Sequence, residues 1–250
     1  LSAHDNTAPF ISKSLIKFLT TSNPSGTYVQ DVAAVFNPFE PNNFQNVISA
    51  ILLHPEARTC EPTPNYTFGK LREPVVRYMN FLKAFQMSPD EYGDFITEME
   101  CFYINTGQSP LDAPSVFNFF LPGYRPQGPI GQNYMTGPEF QILNATNAIG
   151  LVNEVNVRTA GRAYLEDSCD EEDFEGEEET YFMDYSTPLS LINDSNALID
   201  YLNILIANGL LEDDTKLIIS DAINQLNSDE EKLKMALYLI LISPDYAILK

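Results

Sequence analysis

Apolar residues recur at helical spacing along most of the chain. Phe10, Ile11, Leu15, Phe18 and Leu19 fall on one face of a segment that Thr7 can cap, with Pro9 in its first turn. Asn23-Pro24-Ser25-Gly26 interrupts that segment. Val29, Val32, Ala33 and Phe36 then mark a short second helix, ended by Asn37-Pro38. Phe44, Val47, Ile48, Ile51 and Leu52 repeat the spacing until His54-Pro55 stops a third. Three such stripes need one another for burial. Beyond a proline-rich link from Cys60 to Phe68, Pro74 suits a helix first turn, and Val75, Tyr78, Met79 and Leu82 carry the stripe on. Ser88-Pro89-Asp90-Glu91 forms a capping box ahead of Tyr92, Phe95, Met99 and Phe102. Ile142, Ala145, Ile149 and Val152 predict one more apolar face. The tail predicts helices over Leu198 to Ala207, Asp214 to Leu226 and Glu230 to Ile242, the last behind a second box, Ser228 to Glu231. Strand alternation is convincing nowhere. The expected fold is mainly α, an irregular multi-helix bundle.

The helical pattern lapses from Ile104 to Thr136. Prolines at 110, 114, 122, 126 and 129 and glycines at 107, 123, 128 and 131 punctuate the stretch, and Asp112 and Arg125 are its only charges. A loop of this length is commonly functional or disordered. Phe117, Phe119, Phe120, Tyr124 and Tyr134 argue against disorder, because aromatic rings favour burial. The expectation is an ordered, Pro-stiffened Pro/Gly/aromatic loop wrapped over the helices. The chain then divides into a helical core over 1–165 that includes the loop 104–136, an acidic linker over 166–184, and C-terminal helices over 185–250 packing on the same core.

Composition changes the picture chiefly through charge. Against 14 Lys and Arg stand 35 Asp and Glu, a net charge of −21 in 250 residues. Affinity for nucleic acid rests on cations that meet phosphates, so DNA and RNA are excluded as partners, and an anionic membrane surface is disfavoured. Residues 166–179 hold ten of the acids: Glu166, Asp167, Asp170, Glu171, Glu172, Asp173, Glu175, Glu177, Glu178 and Glu179. Blocks of like charge are ordinarily solvated. Carboxylate oxygens suit Ca²⁺, but the Asp-x-Asp-x-Asp-Gly spacing of a calcium loop is missing, so no cofactor is expected and calcium at the run is the lesser alternative. No apolar stretch approaches the roughly 20 residues needed to span a bilayer, so no transmembrane segment is expected. Cys60, Cys101 and Cys169 are too sparse and too widely spaced for a disulfide framework or a zinc site; three buried thiols are favoured over one bridge and a free thiol. Leu1 follows neither a starting Met nor a leader, so a mature product or a fragment is expected.

Candidate chemistry is thin. His4 and His54 are the only histidines. His54 ends a helix, where an imidazole can meet the last carbonyls or the dipole, and His4 reads as a local contact before a helix. Lys70, Arg72, Glu73 and Arg77 gather three cations in eight residues. Such a cluster could receive a carboxylate, sulfate or phosphate, but internal neutralisation of carboxylates is the plainer account. Glu139, behind Gly137-Pro138, could serve as a catalytic acid; a carboxylate answering a helix N-terminus is the more ordinary reading.

Several segments in order resemble a bacterial family known as domain of unknown function 1800. They are His4 to Leu19 (HDNTAPFISKSLIKFL), Ala50 to Arg58 (AILLHPEAR), Gly69 to Arg77 (GKLREPVVR), Gln108 to Pro129 (QSPLDAPSVFNFFLPGYRPQGP), Gly137 to Leu143 (GPEFQIL) and Leu241 to Ile248 (LISPDYAI). Two departures stand out. An upstream helical half with an Arg-Ala-Gly-Phe-Gly-like element has no counterpart, so the chain resembles the C-terminal half of a longer protein. Phe119 stands where relatives often carry Trp, and this chain has no Trp. The resemblance implies an exported protein of the cell envelope or extracellular space, often encoded beside a sulfatase-like family, with no established reaction. A non-catalytic role is therefore favoured: assembly with a protein partner or a second copy through the aromatic loop, with Phe117, Phe119, Phe120, Tyr124 and Arg125 at the contact. The missing half or a sulfatase-like protein are candidate partners. The alternative is a secreted hydrolase or carbohydrate-processing enzyme using paired carboxylates, with the Lys70 to Arg77 cluster binding an anionic group.

Overall fold

A computed structural model describes residues 4–58, 68–87, 100–159 and 183–249, with the side chains of residues 100 and 101 excepted. Two compact units emerge. The first comprises Leu1–Leu71, Phe120–Gln141 and Ile248–Lys250, and the second Arg72–Phe119 and Ile142–Ala247. The capping box at Ser88 to Glu91, the acidic run, Cys60 and Cys169 lie outside the described residues, as does the side chain of Cys101.

In the first unit α1 (Thr7–Leu19), α2 (Gly26–Val35) and α3 (Asn43–Leu53) surround a small core of Ile16, Tyr28, Val32, Val47 and Ile51. Local chemistry sets their ends. Thr20 folds its hydroxyl back onto the Ile16 carbonyl at 3.0 Å, and the Ser25 hydroxyl caps α2 by accepting the Tyr28 N–H at 3.0 Å. The buried Tyr28 hydroxyl is satisfied by donating to the Ile51 carbonyl at 2.7 Å. The helix boundaries agree with the periodicity, but the faces do not. Phe10, Phe18 and Phe44, expected in the core, are 60–69% exposed, while Ser12 and Ile16 turn inward on α1. On α3 the row Phe44, Ile48, Leu52 adjoins the row Val47, Ile51, and only the second is buried. Two neighbouring apolar rows give the same period, so spacing alone does not choose between them.

The remainder of this unit is α4 (Pro55–Arg58), a β pair, α7 (Pro129–Gln132) and a 3-10 helix (Pro138–Gln141). β1 (Lys70–Leu71) and β2 (Ile248–Leu249) pair antiparallel, with Lys70 opposite Leu249 and Leu71 opposite Ile248. Gly69 enters β1 at φ +119°, and a Cβ there would stand 3.0 Å from the Leu249 carbonyl oxygen, so the backbone approach requires glycine.

The second unit has a larger core. It is built by α5 (Pro74–Ala84), α6 (Glu100–Thr106), α8 (Ala145–Arg158), α9 (Ser186–Ser190), α10 (Ser195–Ala207), α11 (Asp213–Ile223), α12 (Asp229–Ile242) and α13 (Pro244–Ala247). Phe81, Phe85, Leu198, Leu202, Ile206, Ile219, Leu237, Ile240 and Tyr246 are among its buried side chains. Pro74 occupies the first turn of α5, and Ser228 caps α12, both as the sequence predicts. Asp194 caps α10 through the Asn196 and Ala197 N–H groups, and Asn208 ends it in the left-handed conformation, φ +56°. Gly150 lets α8 press on α6, since a Cβ there would lie 2.1 Å from the Asn105 carbonyl oxygen. The buried side of α8 is Leu151, Glu154 and Arg158; Ile149, expected inside, is exposed. The architecture is mainly α, and no described helix is long and apolar enough to cross a membrane.

Candidate functional site

In the first unit the candidate residues centre on an ion pair. β1 places Lys70 and the 3-10 helix places Glu139 so that Nζ lies 3.0 Å from Oε1, both side chains buried. The remaining protons of Lys70 go to the main-chain oxygens at the end of α1, Phe18 at 2.8 Å and Lys17 at 3.5 Å. The ammonium also stands 5.5 Å from the Phe18 ring centre. Glu139 is less well served, because its Oε2 is buried without a hydrogen-bond partner. Neighbouring Lys17 donates to the Pro122 carbonyl. Burial, then the adjacent Lys13, lowers its pKa below the ordinary lysine value, while Glu139 acts in the opposite direction. Glu139 thus answers a lysine, and it also stands, as expected, in the first turn of its short helix.

A cleft of about 140 Å³ borders this bridge. Ser22, Asn23, Lys70 and Thr136 supply its polar wall, and Phe68, Ile130, Met135 and Phe140 are among the apolar ones. Reciprocal bonds lock the turn after α1 to the loop: Asn23 donates to the Thr136 carbonyl at 2.9 Å and accepts the Thr136 N–H at 2.8 Å. The Thr136 hydroxyl donates to the Ser22 carbonyl at 2.9 Å. Thr21 Oγ1 accepts the Gly69 N–H at 3.0 Å, and the Ser22 N–H reaches the Gly69 carbonyl at the same distance.

Arg72, Glu73 and Arg77 belong to the second unit. Both arginines are buried, but among the described residues neither pairs with a carboxylate, contrary to the expected neutralisation. Arg72 stacks 5.0 Å over Tyr246, and Arg77 Nε donates to the Arg72 carbonyl at 3.0 Å. Burial pushes the Arg77 pKa down to about 10, with Arg72 adding to the effect, so it remains charged at neutral pH. The Tyr246 hydroxyl donates to the Arg77 carbonyl at 2.7 Å, which ties α13 to α5. Glu73, at the N-cap position of α5, accepts from Gln108 Nε2. A second buried bridge joins Glu154 to Arg158 at 2.6 Å, with Asn105 donating to the other Glu154 oxygen at 2.6 Å and Arg158 to the Tyr78 hydroxyl at 2.7 Å.

Of the loop residues, Phe120 is buried, Phe119 and Tyr124 are half-buried, and Phe117 and Arg125 are exposed. Arg125 lies 5.8 Å from the centre of the exposed Tyr134 ring. Leu111 and Val116 are almost wholly open to solvent, so burial of this stretch is partial rather than general.

Both histidines make contacts within the chain. His54 sits at the C-cap of α3 as expected, but it stacks on Tyr28 at 4.2 Å and places Nε2 3.2 Å from Asp31 instead of meeting the last carbonyls. His4 accepts the Asn6 N–H at 3.2 Å, a local contact. Sequence reasoning missed Ser22, Asn23, Thr136, Asn105 and the Glu154–Arg158 bridge. The i, i+4 spacing of the last pair was a usable signal; the others are joined by long-range bonds that leave no local pattern. Among the described residues, no group of three or more His, Cys, Asp or Glu is arranged to hold a metal ion.

Parts of the segments quoted for the family resemblance meet within each unit. Gly69-Lys70-Leu71 pairs with Ile248-Leu249 and reaches Glu139 of the GPEFQIL block, and Arg72 and Arg77 meet Tyr246 of the LISPDYAI block. No curated protein and no solved structure matches the chain. The family described as "Protein of unknown function (DUF1800)" matches residues 1–248, and the chain belongs to it.

Proposed function

We propose that this protein is a non-catalytic assembly component of the cell envelope or extracellular space, and that it associates with a second copy of itself through the charge-poor part of its aromatic loop around Leu111 to Phe117. The carrying observation is how its polar and apolar groups are spent. Glu139 serves Lys70, Glu154 serves Arg158 and Asn105, Glu73 serves Gln108, and His54 stacks on Tyr28. Leu111, Val116 and Phe117 stand open to solvent in a stretch where Asp112 is the only charge. Depletion of charge around exposed apolar side chains is the mark of an interface core. In a chain of net charge −21, such a stretch is where two copies can approach with least repulsion. The alternative of a hydrolase using paired carboxylates draws no support from acids that each answer an internal partner.

Light scattering on the intact protein tests the reading. A dimer or higher assembly is expected, shifting toward monomer in Val116→Ser/Phe117→Ser with thermal stability unchanged. A wild-type chain that stays monomeric over a wide concentration range overturns it.

A further inference from the structure

Resting on the self-association proposed above, we infer which surface receives the loop: Leu111, Val116 and Phe117 of one copy dock on the solvent-facing row Phe44, Ile48 and Leu52 of α3 in a second copy. The loop side is an anchor held at a cost. The Asp112 N–H reaches the Ser109 carbonyl at 3.5 Å, which closes a turn with Pro110 and Leu111 at its centre. Proline suits the first central position, but the second, at φ +62°, ordinarily takes glycine or asparagine. Here it is a leucine, and its side chain stands wholly open to solvent. Nothing that this side chain does within its own chain offsets the strained backbone. A partner that buries it does.

α3 offers the matching surface. No charged residue occurs from Pro41 to Leu53, whereas every other described helix of ten or more residues carries at least one charge. Phe44, Ile48 and Leu52 follow at i, i+4 and i+8 along its solvent side, 39–60% exposed. A row without a cation cannot offset the desolvation of an acid, so most of the surface of a chain of net charge −21 is refused there. The stretch Leu111 to Phe117, with Asp112 its only charge, is the part of a second copy that fits. Size favours the same pairing. A stable contact covers about 20–30 residues and about 800 Å² on each partner. Two loops meeting each other fall short of that. Loop on α3 engages both surfaces of every copy, six apolar side chains in place of three.

Analytical ultracentrifugation of the intact protein tests this with a loop variant, Val116→Ser/Phe117→Ser, and a face variant, Phe44→Ser/Leu52→Ser. Each alone is expected to associate at least about tenfold more weakly than the wild type. Their equimolar mixture is expected to form a one-to-one complex, because one variant keeps its α3 row and the other its loop. Leu111→Gly, which relieves the turn and removes the anchor, is expected to weaken association without lowering thermal stability. A face variant or a Leu111→Gly chain that associates like the wild type, or a mixture that stays monomeric, overturns the inference and leaves association through the loop standing. A monomeric wild type overturns both. Should a variant fail to fold, side-chain footprinting of the wild type at rising concentration decides. Protection of Phe44 and Leu52 together with Leu111 and Phe117 is expected, and protection confined to the loop overturns the inference.

Discussion

Among the described residues each unit has a buried bridge between an acid and a base, and the two are finished to different degrees. In the second unit both oxygens of Glu154 are engaged, by Arg158 and by Asn105, and Arg158 also reaches the Tyr78 hydroxyl and lies 4.5 Å over its ring. In the first unit Glu139 engages one oxygen, with Lys70, and leaves the other without a partner. A buried charge is tolerable when its lone pairs and protons are all satisfied. The Glu154 bridge meets that condition and reads as a brace between α6 and α8. The Glu139 bridge does not, although its lysine is saturated. It holds β1 against the 3-10 helix at the edge of the cleft, which suits a wall kept in place at some cost in stability.

The largest expected effect breaks the finished bridge. Arg158→Met strands the Glu154 carboxylate in the core and removes a partner of Tyr78, for a loss of about 4 kcal/mol in urea unfolding. A loss under about 1 kcal/mol would mean that the bridge is no brace. Lys70→Met performs the same operation in the first unit, with an expected loss of about 3 kcal/mol. Glu139 has fewer bonds to surrender. Replacing both partners, Lys70→Met with Glu139→Leu, should return stability to within about 1 kcal/mol of wild type, because the desolvation of two charges disappears with them. A double variant as unstable as Lys70→Met alone would contradict that account.

The contrast also marks what the sequence made legible. Helix ends were readable, since Ser25, Ser228, Pro74 and His54-Pro55 act through neighbours a few residues away. Which face of a helix is buried was less readable. On α3 the rows Val47–Ile51 and Phe44–Ile48–Leu52 carry the same period, and only packing distinguishes them. The Lys70 to Arg77 cluster looked like one site because its members are adjacent in sequence, but Lys70 faces Glu139 in the first unit and Arg72 stacks on Tyr246 in the second. A two-residue strand, β1, was too short to leave any alternation.

Smaller changes sharpen the comparison by making one bridge resemble the other. Asn105→Ala removes the donor to the second oxygen of Glu154 and leaves it in the condition of Glu139. A loss of about 2 kcal/mol is expected, the worth of a hydrogen bond to a charged group. The gentlest test is the isosteric exchange of each acid for its amide. Glu154→Gln weakens the bond to Arg158 and turns an amide N–H₂ toward a donor, either Arg158 or Asn105, so about 3 kcal/mol should be lost. Glu139→Gln weakens one bond only, and Lys70 keeps the Phe18 carbonyl. The amide can keep its oxygen toward Lys70 and place its nitrogen where no partner was being used. About 1 kcal/mol is the expected loss. Urea midpoints compared at constant slope measure the pair of variants directly. Equal losses would mean that the unpartnered Glu139 oxygen is satisfied in solution, and the distinction between the two bridges would fall with it.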